Sequence, residues 1–339
     1  MTSPLHQRYL ELGPSERSAH HWGVILAGGD GKRLLSLTRR ITGDERPKQF
    51  CAVVGRETLL DQTRDRIRRL IRPEHTVVML TKAHDRFFGR LASDANGSQI
   101  LVQPLNRGTA PAIVYSLARL LELDPDGVAA IFPSDHHFAD EDAFTADLQI
   151  AFDAAEHRPD RVILLGVTPD CPETEYGWVE PGLPLGQGLP DSVCDVARFW
   201  EKPSRSRASA LMKDGCLWNS FVMVGKIVAF RDLIHRALPE LMNAFESIQP
   251  TLFMSEETLA VNEVYSRIRS SNFSDEVLSV SSDDLAVVRS RNIGWSDLGE
   301  TKRVVSVLES KRLRPDWASS IGTQGECSPP DSAKGFHGC

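Results

Sequence analysis

The stretch GVILAGGDGKRL, Gly23–Leu34, is a short aliphatic run that stops at two glycines, an acid, a third glycine and two bases. Such a run, closed by glycines, reads as a buried strand feeding a tight turn. Glycines let backbone N–H groups approach a phosphate without Cβ interference, and an arginine adds a planar cation that suits phosphoryl oxygens. Two common phosphate loops fail by spacing. The dinucleotide fingerprint needs a third glycine three places after Gly31, where Leu34 stands. The P-loop needs a glycine five places before the Gly-Lys pair and a Ser or Thr after it, where Leu26 and Arg33 stand. Taken alone, the stretch serves equally well as a structural strand-to-helix turn.

Similar runs recur: TVVML (Thr76–Leu80), ILVQ (Ile100–Gln103), VAAIF (Val128–Phe132) and RVILLGV (Arg161–Val167). Helical spacing fills the gaps, over Glu57–Ile71, Ala110–Leu123 and Phe144–Glu156. This alternation predicts an α/β fold, a Rossmann-like, mostly parallel sheet flanked by helices. Ligands in such sheets bind beyond the carboxyl ends of the strands, at the loops Gly28–Leu34, Pro104–Thr109 and Pro133–His137. The segment Thr168–Gly225 differs. It is rich in Gly and Pro and has strand-like pieces at Tyr176–Glu180, Val193–Trp200 and Phe221–Val224, so a small antiparallel insertion lidding the sheet is expected. Helical pattern returns over Ile227–Ser270. A last strand, Leu285–Arg289, leads to GWSDLG (Gly294–Gly299) and a further helix. Residues 1–21 read as a polar extension, 22–313 as one catalytic domain, and 314–339 as a disordered Gly-, Ser- and Pro-rich tail.

Totals narrow the classes. A net charge of −7 weighs against a nucleic-acid surface, and no apolar run approaches the ~20 residues of a membrane span. The N-terminus lacks a signal-peptide apolar stretch, and the six scattered cysteines form no CxxC pair. A cytoplasmic protein with no nucleic-acid partner, no membrane and no zinc is expected. Apolar residues around Ile227–Ala237 are expected to be exposed and could serve a homodimer.

Each further motif has a functional and a plain reading. Lys48 in RPKQF is a phosphate cation or surface charge. Gln103 and Asn106 can hydrogen-bond a base edge, and Gly108-Thr109 opens a helix whose free N–H groups suit an anion; the alternative is an ordinary Thr-capped helix. Asp135 in FPSDHH is a magnesium ligand beside polyphosphate, or a turn former. His136 and His137 lack a third nitrogen or sulfur ligand, which sets aside a transition metal. PETEYGWVEPG (Pro172–Gly182), FWEKP (Phe199–Pro203) and LWNSF (Leu217–Phe221) mix aromatic with charged or amide groups, as sugar sites require and packed surface loops also show. Asp297 is a second metal carboxylate or a helix-start acid.

In combination and order, these pieces resemble the sugar-phosphate nucleotidyltransferases, and within them the mannose-1-phosphate guanylyltransferases. The family pattern GGxGxRLxPLS then PKQF is matched by GGDGKRLLSLT then RPKQF. QPLNRGTAPAI, FPSDH, EKP, WNS and GWSDLG follow in family order. The resemblance implies a stand-alone transferase acting on GTP and a hexose 1-phosphate, mannose 1-phosphate foremost, with Mg²⁺. It implies that Asp135 and Asp297 hold the metal, that Arg33 braces the triphosphate, and that Lys48 approaches the reacting phosphates. Lys202 would hold the sugar phosphate, while Gly177, Glu201 and Asn219 address sugar hydroxyls. Ala27, Gly28, Gly29, Gly31, Gln103, Asn106, Arg107, Gly108 and Thr109 would bind the nucleotide. Departures are Leu35-Ser36 for Trp-Pro, Glu175 for a Gly before Tyr176, and Phe221 where many members have Gly; the last two fall in the sugar half. Rival classes are a non-catalytic nucleotide-sugar sensor on the same fold, and a nicotinamide-dependent dehydrogenase, which the failed fingerprint disfavours.

Overall fold

A computed structural model describes residues 20–93, 97–186 and 188–320. Its strands are β1 (His21–Leu26), β2 (Thr76–Thr81), β3 (Gln99–Gln103), β4 (Val128–Pro133), β5 (His137–Phe138), β6 (Val162–Val167), β7 (Gly177–Pro184), β8 (Val193–Glu201), β9 (Leu217–Lys226), β10 (Leu285–Ser290) and β11 (Trp295–Ser296). Its α-helices are α1 (Leu35–Thr42), α2 (Leu59–Ile67), α3 (Asp85–Ser93), α4 (Thr109–Leu123), α5 (Glu141–His157), α6 (Arg205–Lys213), α7 (Ile227–Ala237), α8 (Pro239–Glu246), α9 (Glu257–Arg267), α10 (Phe273–Glu276) and α11 (Thr301–Ser310).

Nine strands form one sheet in the order β3-β2-β1-β4-β9-β6-β10-β8-β7. β1 pairs in parallel with β2 and β4, β2 with β3, and β6 with β10. β9 runs antiparallel between β4 and β6, and β8 antiparallel between β10 and β7. The expected α/β fold is therefore present. The antiparallel segment does not sit over the sheet as a separate layer. Its strands are laddered into the sheet, with β9 at its centre and β7 tied to both β8 and β9.

The aliphatic runs lack alternation because both sheet faces are covered. Val24, Val77, Met79 and Ile131 enter one core, with Ile113, Leu117, Phe230, Leu233 and Tyr265 from α4, α7 and α9. Ile25, Val78, Leu80 and Phe132 enter the other, with Leu60, Phe144, Leu148 and Phe152 from α2 and α5. A third, smaller cluster joins Leu34, Leu37 and Leu59 to Leu298, Val304 and Leu308.

Three features differ from the sequence reading: two boundaries and the burial of one helix. His21 lies in β1, buried, with Nε2 2.8 Å from Glu156, so the strand starts inside the supposed extension; residues 1–19 lie outside the described residues. The apolar residues of α7 are not exposed: Ile227, Ala229, Phe230, Leu233 and Ile234 are buried in the chain's own core, which removes the expected dimer face. Beyond Arg314 the chain is not without structure: Asp316–Ser320 form a 3₁₀ turn, and Trp317 and Ala318 pack on the third cluster. Residues 321–339 lie outside the described residues. Among the described residues, no helix is long and apolar enough to cross a membrane.

Candidate active site

β2 and β3 extend to one side of β1 and β4 lies on the other, so the strand order reverses between β1 and β4. Ligands favour such a crevice at the carboxyl ends. A cavity of about 430 Å³ opens there, floored by Leu26 and Pro133 at the ends of those two strands.

The glycine loop is held from beneath. Gln49 Nε2 donates to the carbonyls of Ala27 (3.0 Å) and Gly29 (2.8 Å), and Thr81 Oγ1 donates to that of Gly28 (2.9 Å). A Cβ on Gly28 would lie 2.5 Å from Gln103 Nε2 and 2.6 Å from Thr81 Oγ1, so the position admits only glycine without a shift. Gly31 has φ +61° and packs on the Lys48 backbone. Gln103 is buried and fixed at both ends, donating to Thr81 Oγ1 (2.8 Å) and accepting from Tyr265 Oη (3.0 Å).

The start of α4 is not an ordinary Thr cap. Gly108 is the N-cap at φ 90°, with no side-chain cap, and Thr109 Oγ1 instead accepts the Phe273 N–H at 2.8 Å. A Cβ on Gly108 would meet the Ser271 carbonyl oxygen at 2.3 Å. Asn106 Oδ1 accepts the Gly108 N–H at 3.1 Å, closing the loop.

Opposite the glycine loop, charged groups gather. Lys48 is 8% exposed; its Nζ lies 3.3 Å from Asp135 Oδ2 and donates to the carbonyls of Asp297 and Leu298 (3.2 Å to the latter). Three donors converge on Asp297 Oδ1: Tyr176 Oη (2.9 Å), Arg303 Nη1 (2.6 Å) and the Gly299 N–H (2.9 Å). Burial would raise the Asp297 carboxyl, but His136, in its protonated form, Lys48 and Arg303 outweigh it and hold the group at about 2. Burial, opposed by Asp135, pushes His136 down to about 4, and its Nδ1 accepts from Trp295 Nε1 at 3.2 Å. His136 is thus a neutral acceptor near pH 7.

Among the described residues, no three or more His, Cys, Asp and Glu side chains gather into a metal cage. Two carboxylates in a polar cavity are instead what magnesium uses when substrate phosphates and water complete its shell. Asp297 Oδ2 accepts no hydrogen bond among the described residues, and Asp135 is held only by Lys48 and a 3.9 Å approach of His136. The donor set therefore fits a hard divalent cation.

The far wall comes from the antiparallel strands. Gly177, Glu201 and Asn219 converge: a Cβ on Gly177 would lie 3.0 Å from Glu201 Oε2 and 3.4 Å from Asn219 Cβ. Burial raises the Glu201 carboxyl, against the pull of Lys202. Glu175 lies at the mouth, 3.7 Å from Arg33 Nη1.

Of the residues singled out in the sequence, Gly28, Gly29, Gln103, Asn106, Gly108, Thr109, Asp135, Gly177, Glu201, Asn219 and Asp297 line this one cavity. Ala27 and Gly31 shape the loop behind it, and Lys48 stands behind Asp135. Arg33 and Lys202 are exposed outside its wall. Arg107 points elsewhere, donating to the Tyr265 carbonyl at 3.2 Å. The sequence reading overlooked Gln49, Tyr176, Trp295, Arg303, Asn272 and Ser274. Gln49 adjoins a chosen lysine and could have been found. Arg303 reaches Glu173 across 130 residues, and nothing local signals that contact.

Comparison with known proteins finds relatives over most of this chain. A Mannose-1-phosphate guanylyltransferase of Escherichia coli K12 is 30% identical over 81% of this chain, and the Alginate biosynthesis protein AlgA of Pseudomonas aeruginosa is 31% identical over 84%. The alignments span 57% and 58% of those two proteins' own lengths. The crystal structure of a Thermus thermophilus protein described as a mannose-1-phosphate geranyltransferase is 29% identical, with a TM-score of 0.71 over 85% of this chain and 79% of that one. The nucleotidyl transferase family matches residues 22–311, and with the glycine loop, the buried lysine and the paired carboxylates all in one crevice, the chain belongs to that family.

Proposed function

We propose that this chain transfers GMP from GTP to a hexose 1-phosphate, mannose 1-phosphate foremost, and releases pyrophosphate. The observation that carries the proposal is the meeting of Lys48, Asp135 and Asp297 beside the glycine loop at the β1/β4 crevice. A sugar 1-phosphate oxygen attacks the α-phosphorus in line; the new P–O bond forms as the α–β bridge bond breaks, and the electron pair leaves with pyrophosphate. A phosphate monoester has its second pKa near ~6, so the nucleophile is already anionic and needs no general base. What remains is to bring anions together and to stabilise the charge that builds up, which is positioning and electrostatics.

In this reading the backbone of Gly28–Gly31 cradles the triphosphate, and Arg33 braces the β- and γ-phosphates from the rim. Lys48 offsets charge near the α-phosphate. Gln103, with Asn106–Thr109, receives the guanine and ribose; Ala27 backs the loop. Gly177, Glu201 and Asn219 meet the sugar hydroxyls, and Lys202 its phosphate. Asp135 and Asp297 would hold Mg²⁺, which supplies charge neutralisation between the two substrates. Because Lys48 and Arg303 hold Asp297 ionised, that carboxylate is ready for a cation throughout the neutral range.

The test is pyrophosphate release with Mg²⁺, across GTP, ATP, UTP and dTTP, each against a panel of hexose 1-phosphates. Release fastest with GTP and mannose 1-phosphate is expected. Binding of GTP without release from any pair would replace the transferase with a nucleotide-sugar sensor.

A further inference from the structure

β9 is irregular where it borders the cavity. Its ladder with β6 pairs Met223 with Leu164 and Asn219 with Gly166, so residues 220–222 of β9 oppose Leu165 alone. The bulge is tied off locally. Ser220 Oγ donates to the Leu165 carbonyl (2.7 Å) and accepts the Val222 N–H (3.2 Å), while Asn219 Oδ1 accepts the Phe221 N–H (3.1 Å). At its crest Phe221 has φ 62°, a left-handed backbone that glycine adopts freely and a bulky side chain resists.

Bulges re-aim side chains. This one turns the Phe221 ring to the cavity wall, edge-on to Phe273 at 6.4 Å and close in the chain to Asn219. A strained residue persists where its surroundings over-determine it, and such residues gather at ligand clamps. The position would be easier to build with glycine, yet it carries a phenyl ring in a residue that lines the cavity and whose backbone N–H is held by Asn219.

We propose that Phe221 is a specificity-determining residue that limits the size of the sugar, excluding 1-phosphates with an N-acyl substituent. The proposal rests on the sugar 1-phosphate reading above. Two effects combine. The ring fills space of about the bulk of an acetamido group, and it offers no donor or acceptor. A buried amide facing it would lose its hydrogen bonds to water without replacement, which is costly.

The test compares kcat/KM for mannose 1-phosphate and for its 2-acetamido-2-deoxy counterpart, with GTP, in the wild type, F221G and F221A. The wild type is expected to favour the plain sugar by about a hundredfold or more. Each variant should cut that ratio at least about tenfold, mainly by raising kcat/KM for the acetamido sugar. F221G should also unfold at a higher temperature than F221A, since only glycine relieves the left-handed backbone. An unchanged ratio in two variants that unfold cooperatively overturns the size limit, as does a wild type that uses both sugars alike. No pyrophosphate release from mannose 1-phosphate or any other sugar in the wild type overturns the transferase reading itself, and the proposal with it.

Discussion

The two walls of the cavity answer the same backbone demand differently. On the nucleotide side, left-handed residues are glycines: Gly31 at φ 61° and Gly108 at φ 90°. Among the antiparallel strands they carry side chains: Phe221, which lines the cavity, at 62°, and Lys202, just outside its wall, at 44°. Left-handed backbone costs roughly 1–2 kcal/mol per non-glycine residue. The glycine side avoids that cost, and a Cβ on Gly28 or Gly108 would collide with its surroundings. The sugar wall accepts strain to keep particular side chains in place. Recognition by backbone leaves little freedom to vary; recognition by side chains can be re-tuned one residue at a time. Of the three departures from the family pattern, Glu175 and Phe221 line the cavity, while Leu35-Ser36 follow the glycine loop.

Several variants would break or sharpen this contrast. The largest effect is expected at the metal carboxylates. Asp135→Asn should lower kcat about a thousandfold, on the order of 4 kcal/mol, by analogy with loss of a preorganised charge; a Mg²⁺ titration with an unchanged midpoint and turnover would remove Asp135 from that role. Next, Gly108→Ala should cost about 3 kcal/mol in urea unfolding, because its Cβ meets the Ser271 carbonyl and its φ is left-handed. A neutral effect there would mean that the nucleotide wall is as adaptable as the sugar wall. Arg33→Ala should slow turnover about a hundredfold, and near-normal single-turnover rates would show that the exposed rim cation is dispensable.

A smaller effect concerns His137, which is buried with neither ring nitrogen partnered among the described residues. Burial, with Lys311 and Arg66 nearby, pushes it down to about 4. Its folded pKa lies below the ~6.5 of an unfolded histidine. The unfolded chain therefore takes up the proton first, and stability is full above pH 6.5 and falls toward pH 4. Between pH 7 and 5 this one residue should cost on the order of 2 kcal/mol. His137→Leu should flatten that acid limb in thermal unfolding; an unaltered limb would locate it elsewhere, His136 being the first alternative. Least in size, Lys202→Gly should raise KM for the sugar phosphate about tenfold (~1.4 kcal/mol) without lowering the unfolding temperature. A fall in both affinity and stability would mean that the strain at Lys202 is not what glycine relieves.

Much of the fold was legible because strands buried on both faces leave continuous aliphatic runs; those of β1, β2, β3, β4, β6 and β10 fall within a residue or two of their expected limits. The place of β9 was not legible. Antiparallel insertion of a late strand between β4 and β6 is a long-range choice that its own composition does not encode. Likewise, α7 looked outward-facing from the sequence because helical spacing does not say which neighbour covers a stripe. α4, α8 and β9 cover it. The motif residues on strand ends were found by position alone. The supporting groups were not: Tyr176 reaches Asp297 across 121 residues, and Arg303 ties Asp297 to Glu173, 130 residues away, so their roles exist only in the folded chain.

Trp317 has a consequence for where the working unit stops. With Ala318 it packs on the cluster that contains Leu34, which follows Arg33, and Leu298, which follows Asp297. Both residues therefore add packing to the cluster that lies behind the glycine loop and the carboxylate turn. A chain cut after Leu313 would keep every proposed reacting group and still lose packing from the cluster behind both arms of the site.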